Sequence, residues 1–165
     1  MTRKEYNYCV ETYADGLYRF VLKNLRDSEK SRDIVQETFT KVWQKVDDIS
    51  FAKSKSYLFT TAYHTMIDTI RRDERQTPLE PHHQQHRTDF NRFSDLREVL
   101  DEALRTLPEI QKAVVLLRDY EGYPYDEIGQ ITGLSEAQVK VYIFRARTAL
   151  KNYIQKLDLV LEESA

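Results

Sequence analysis

The sequence predicts an all-α chain built as two small helical units, and three observations lead there. Apolar residues recur at helical spacing in two blocks, Tyr6 to Arg75 and Phe93 onward. Between them, Gln76 to Arg92 is polar, carries Pro78 and Pro81 and has no apolar period, which is the composition of a flexible linker. The 165 residues include only 4 Gly and 4 Pro beside 41% hydrophobic and 32% charged residues, a balance that suits soluble helices better than turn-rich β structure. Length alone allows one ordinary domain or two small ones. The patterning favours two, residues 1–75 and 94–161, joined by a linker over 76–93.

In the first unit the apolar period breaks near Asp27-Ser28 and again between Asp48 and Ser54, which predicts three helices. On the second of these, Ile34, Val35, Phe39, Val42, Trp43 and Val46 form an apolar stripe whose simplest role is core, with Asp33, Gln36 and Glu37 away from its middle. In the second unit Leu96, Val99, Leu100, Ala103 and Leu104 share one helix. Ile110 and Ala113 to Leu117 share another, opened by Pro108.

Tyr125 to Leu150 carries the most specific local signal. A short helix with Ile128 and Ile131 is followed by Thr132-Gly133-Leu134-Ser135 and a long helix from Glu136, the pattern of a helix-turn-helix. Ser135 and Gln138 have the spacing of a capping box. Steps of about 100° put Val139, Ile143, Ala146 and Leu150 inward and leave Gln138, Lys140, Val141, Phe144, Arg145 and Thr148 outside. From Leu134 to Leu157 there are five Lys or Arg and one acid, whereas Asp95 to Gly133 has four basic residues and nine acids. The net charge of -2 hides a basic helix suited to phosphates and guanine edges. Val141 and Phe144 fit either thymine methyls and sugars or packing against another helix or a protein partner.

Composition argues against several other classes. Cys9 is the only cysteine, so an intrachain disulfide and a thiolate-rich zinc site are excluded and a reducing compartment fits. No signal-peptide core follows Met1, and the longest strongly apolar run, Ala113 to Leu117, is too short to span a bilayer, so a cytoplasmic protein without membrane insertion is expected. His82, His83 and His86 are a possible metal cluster, but they fall in the linker with no helix to fix their geometry. No phosphate loop or nucleophile motif is recognisable, so the expectation is no enzyme, no catalytic residues, no metal and no cofactor.

Several motifs together are similar to a known family. Leu107-Pro108, Tyr125-x-Glu127-Ile128-Gly129, Gly133-x-Ser135, Val139-Lys140 and Phe144-Arg145-Ala146-Arg147-x-x-Leu150 resemble the carboxy-terminal domain of extracytoplasmic-function (ECF) sigma factors of the sigma-70 family. Asp33-x-Val35-Gln36-Glu37-x-Phe39-x-x-Val42-Trp43 resembles the helix of sigma region 2 that docks on the polymerase clamp. Tyr57-Leu58-Phe59-x-x-Ala62-x-His64-x-x-x-Asp68-x-x-Arg71-Arg72 resembles the minus-10 segment. The sequence departs from the family pattern with Gly129 where Ala is usual, His64 where Asn is common, and Ala137-Gln138 where Gly-Thr often opens the recognition helix.

The resemblance implies a factor that binds core RNA polymerase, through the beta-prime clamp and beta flap, and directs promoter-specific initiation. It implies minus-35 contacts at Gln138, Lys140, Val141, Tyr142, Phe144, Arg145 and Arg147, with Tyr142 and Arg147 near the edge of the inward stripe. Minus-10 contacts would fall to Lys55, Ser56, Tyr57, His64, Arg71 and Arg72. They belong to a run of basic and aromatic residues that includes Lys53, Phe59 and Tyr63, with Ser50 to Ser56 similar to a base-capture loop. Asp33, Gln36, Glu37 and Trp43 would dock on polymerase. The partners implied are core RNA polymerase, promoter DNA and an anti-sigma factor, with the free chain a monomer. The alternative is a dimeric helix-turn-helix regulator acting without polymerase; the first unit lacks the alternating β and α pattern of a receiver.

Overall fold

A computed structural model describes residues 1–76 and 96–163. The expected linker beyond Gln76, with its proline residues and histidine cluster, lies outside the described residues. Seven α-helices follow in order: α1 Arg3–Leu25, α2 Ser28–Gln44, α3 Ser54–Gln76, α4 Leu96–Arg105, α5 Glu109–Val115, α6 Tyr125–Thr132 and α7 Glu136–Glu163. Short 3-10 turns, Val46–Asp48 and Phe51–Lys53, join α2 to α3, and α5 runs on as a π-helical turn, Leu116–Tyr120. No strand occurs among the described residues, in accord with the all-α expectation.

Each helix start has a local cause. Thr2 and Glu5 form a reciprocal capping box at α1. The Asp27 carboxylate accepts from the Lys30 amide at the head of α2, after a tight corner in which Arg26 takes left-handed geometry, φ 56°. In the first unit Leu17, Phe20 and Val21 of α1 meet Ile34 and Val42 of α2 and Leu58, Phe59, Ala62 and Met66 of α3. The buried line of α2 runs through Ser31, Ile34, Thr38 and Val42, whereas Val35 and Phe39 are half-buried and Trp43 is 45% exposed. The core stripe is thus rotated from the apolar one. Ser31 and Thr38 can be buried there because their hydroxyls donate to the carbonyls of Asp27 and Ile34, one turn back, at 2.6 and 2.7 Å.

In the second unit Ala113 to Leu117 are buried together on all sides, packed with Leu104, Leu107, Ile128, Ile131, Val139, Ile143 and Ala146. Leu96, expected on the apolar stripe of α4, is exposed. The two units are packed against each other: α3 meets α6, α1 meets α5, and one apolar cluster runs through both. The sequence left the arrangement of the two units open; the described residues of the two pack together.

Gly129 explains its departure from the usual Ala. A Cβ there would stand 2.7 Å from the Leu134 carbonyl oxygen, a backbone atom that cannot move aside cheaply. Gly129→Ala is therefore expected to cost about 1–3 kcal/mol through forced separation of α6 from the turn, read as a lower midpoint in thermal unfolding. An unchanged midpoint would mean that the turn yields freely.

Candidate nucleic-acid interface

The helix-turn-helix is built as the residues dictate. Gly133 ends α6 in left-handed geometry, φ 78°, with its amide donating to the Gly129 carbonyl. Two residues later Ser135 starts α7. Its hydroxyl accepts from the Gln138 amide at 3.1 Å, and the Gln138 side-chain oxygen accepts from the Ser135 amide at 3.0 Å. Gln138, expected to face DNA, thereby commits its carbonyl to the cap and keeps its NH2 group as a donor.

Val139, Ile143 and Ala146 are buried and anchor α7, while Gln138, Lys140, Val141, Phe144, Arg145, Arg147 and Thr148 are exposed. Val141 is 45% and Phe144 71% exposed, so the described residues leave both apolar side chains facing outward between cations. Lys140 pairs with Glu136 one turn back at 3.4 Å, an exposed contact easily given up to a phosphate. Among the described residues Arg145 makes no ion pair; its guanidinium lies 6.0 Å from the half-buried Tyr142 ring. Arg147 differs. It donates from Nε and Nη2 to both oxygens of Asp119, at 3.1 and 2.6 Å, and this bond raises its pKa above the usual arginine value. The structure thus groups Lys140, Val141, Phe144 and Arg145 on one open face and ties Arg147 back to the π-turn.

On α3 the expected residues divide between two faces. Tyr57, His64 and Arg71 are spaced seven apart, a step that drifts only ~20° around a helix. Tyr57 and His64 line an open pocket of about 370 Å³ with Thr61 and Thr65, with Lys41 and Gln44 from α2, and with Lys45 just past its end. Lys55, two residues before Tyr57, points ~200° away and places its ammonium 4.6 Å over the Tyr123 ring of the second unit. Phe59 and Tyr63 are buried on that same side. Arg71 and Arg72 are exposed, and Ser56 is half-buried.

Sequence reasoning missed Lys41 and Lys45, the first in the last turn of α2 and the second just past its end, whose i,i+4 spacing was the available signal. It also missed Phe51 and Tyr8, an exposed aromatic pair with ring centroids 5.7 Å apart, although an aromatic residue in a loop of Ser and Lys is itself a signal. Asp33, Gln36 and Glu37 are exposed along α2, Glu37 pairing at 2.8 Å with the Lys41 that lines the pocket, and the Tyr6 ring centre lies 4.9 Å from that of Trp43. Gln36 and Phe39 line a groove of about 540 Å³ between α1 and α2 with Tyr6 and Val10.

Comparison with known proteins agrees with this division. The family model described as sigma-70 region 2 matches residues 9–76, and the one described as sigma-70, region 4 matches residues 97–150. The chain belongs to the sigma-70 family. It is an ECF-type RNA polymerase sigma factor, a subunit that directs promoter-specific initiation. The ECF RNA polymerase sigma factor SigM of Bacillus subtilis (strain 168) is 26% identical over 155 residues, spanning 86% of this chain and 90% of its own length. The RNA polymerase sigma factor SigV of the same strain is 26% identical over 156 residues, spanning 92% of each chain. In fold the sigma factor resembles RpoE of Bartonella quintana, solved with the anti-sigma factor NepR. The TM-score is 0.76 at 22% identity, over 92% of this chain and 98% of that one. CnrH, solved with the cytosolic domain of CnrY, gives a TM-score of 0.70 at 18% identity, over 94% and 90%.

The cap is a direct test of how the recognition helix is held. Ser135→Ala removes the acceptor for the Gln138 amide and is expected to cost about 1 kcal/mol, with faster hydrogen exchange confined to the first turn of α7. Unaltered exchange there would remove the cap from the account.

Proposed function

We propose that residues 94–161 read the minus-35 element through the outer face of α7, and that residues 1–75 dock on polymerase and handle the minus-10 element. The observation that carries this reading is the open face of Lys140, Val141, Phe144 and Arg145, basic and apolar together on a helix held by a capped turn. Cations there supply phosphate and guanine hydrogen bonds, and the two apolar side chains supply contacts to methyl groups. Tyr142 and Arg147, at the flanks, serve backbone contacts.

The pocket of Tyr57, His64, Lys41 and Lys45 supports a minus-10 role. It combines an aromatic platform with cations and hydrogen-bonding groups, the chemistry that holds an unstacked base beside its phosphate. Arg71 and Arg72 extend the positive surface along α3 and Ser56 stands near the start of the helix, while Lys55, turned toward the Tyr123 ring, would reach the minus-10 element from the other side of α3. The exposed line Asp33, Gln36, Glu37 and Trp43 supports docking of α2 on the polymerase clamp, with acids to meet a basic partner and one large ring as an anchor. The second unit would meet the beta flap. The free factor is monomeric, acts in the cytoplasm, has no catalytic step or cofactor of its own and is held in check by an anti-sigma factor. Among the described residues no helix is long and apolar enough to cross a membrane.

Promoter-directed transcription in vitro with core polymerase tests the division of labour. Lys140→Ala/Arg145→Ala is expected to lower promoter binding at least tenfold and to flatten its salt dependence by about one ion per lost phosphate contact, with core binding retained. Asp33→Ala/Glu37→Ala is expected to weaken core binding without changing promoter preference. A protein that ignores core polymerase yet binds duplex DNA tightly as a dimer would overturn the reading.

A further inference from the structure

Asp119 sets a carboxylate beside the cations of α7, where a bare acid would repel phosphate. It stands on the π-turn Leu116–Tyr120, and that turn has a fixed base. Leu116 and Leu117 are buried, and Arg118 donates from Nη1 to the Tyr123 carbonyl at 2.9 Å while its guanidinium lies 4.3 Å from the centre of the Tyr125 ring.

Both oxygens of this carboxylate go to one partner. Arg147 donates from Nε to Oδ2 at 3.1 Å and from Nη2 to Oδ1 at 2.6 Å, a two-point fit that fixes the plane of a guanidinium as well as its position. The side chains are 50% and 38% exposed, and an exposed pair of this kind contributes little to stability. Its contribution is orientation. The other cations of the DNA-facing surface are held differently: Lys140 pairs with Glu136 of its own helix and stands 5.6 Å from the Tyr125 ring centre, and Arg145 lies 6.0 Å from that of Tyr142. Of these three, Arg147 alone is gripped at two points from another element.

The place of Arg147 on α7 gives that grip a use. Lys140, Phe144 and Arg147 follow at i, i+4 and i+7, one row along the helix. Arg147 therefore stands about 10 Å beyond Lys140 along the axis. A recognition helix presents its first turns to base edges, so a cation this far along meets the sugar-phosphate backbone. The pairing with Asp119 occupies one edge of the guanidinium and leaves its remaining N–H groups for a phosphate oxygen.

We propose that Asp119 is a positioning residue for minus-35 recognition. It holds Arg147 in one orientation against a single backbone phosphate, and this contact fixes the register in which Lys140, Val141, Phe144 and Arg145 meet the bases. The role rests on the reading of α7 given above.

The test uses the full-length factor in holoenzyme with core polymerase. The probe is the duplex that wild-type holoenzyme enriches from a pool randomised over the minus-35 region, with affinity measured across a range of salt. Arg147→Ala is expected to weaken binding and to flatten its salt dependence by about one ion. Asp119→Asn is expected to weaken binding roughly tenfold, against the gain that loss of an acid would otherwise bring. Arg147→Lys, which keeps the charge and loses the two-point grip, is expected to weaken it as well. In the Arg147→Ala background the same Asp119→Asn change is expected to reverse sign and strengthen binding, because the carboxylate then only repels DNA. An acid with a merely structural role would weaken binding in both backgrounds. Thermal unfolding of each variant separates a local effect from misfolding. Tighter or unaltered binding by Asp119→Asn alone, or weakening in both backgrounds while the chain stays folded, would overturn the positioning role. A pool from which wild type enriches no minus-35 sequence would instead overturn the reading of α7, and the proposal with it.

Discussion

Each described unit has fewer than eighty residues, and that small size is the constraint under which the rest of the structure is arranged. A domain near sixty residues buries only about 60% of the surface its unfolded chain exposes, so every apolar side chain counts. The first unit meets the demand partly with Ser31 and Thr38, which fill core positions after returning their hydroxyls to their own helix. The second does so with five consecutive buried residues, Ala113 to Leu117. Neither closes its apolar surface alone. Phe59 and Tyr123, from different units, pack ring against ring, and their contact is accompanied by the pairing of Arg19 with Glu121 across the same boundary.

The same economy separates scaffold from working surface. Val139, Ile143 and Ala146 hold α7 down along a narrow stripe, which leaves Lys140, Val141, Phe144 and Arg145 outside. On α3 a heptad line of Tyr57, His64 and Arg71 stays open while the line through Lys55, Phe59 and Tyr63 turns toward the second unit. The outward residues of α7 need little from the core beyond a fixed helix axis, so capping and turn geometry matter more to them than additional buried area.

Much of this was legible in the sequence where local rules decide. The three helices of the first unit, the break at Asp27, the Gly133 turn and the Ser135–Gln138 cap follow from short-range hydrogen bonding, and short-range patterns survive in a linear string. The division of α7 into inward and outward faces did too. The true buried face of α2 was not legible, because Thr38 looks polar until its bond to Ile34 is seen. Helical spacing alone sets Lys55 and Tyr57 on different faces of α3, but that the Tyr123 ring covers Lys55 depends on where the second unit comes to rest. The packing of one unit on the other escaped entirely: Arg19 and Glu121, which pair across it, are 102 residues apart, and nothing local marks either one. The need for Gly129 was visible only as an oddity until the Leu134 carbonyl supplied its cause.

The π-turn at Leu116–Tyr120 serves two neighbours at once. Asp119 within it grips Arg147 on the recognition helix, and Glu121 immediately after it grips Arg19 on α1. A regular α-turn at this point would carry one residue fewer and rotate all that follows by about 100°. A carboxy-terminal unit lacking this wide turn would lose its hold on α1 and its tie to Arg147 together, while keeping the capped start of α7. The hold between the units and the bracing of α7 thus depend on one turn, whereas the cap that starts α7 depends on none of its residues.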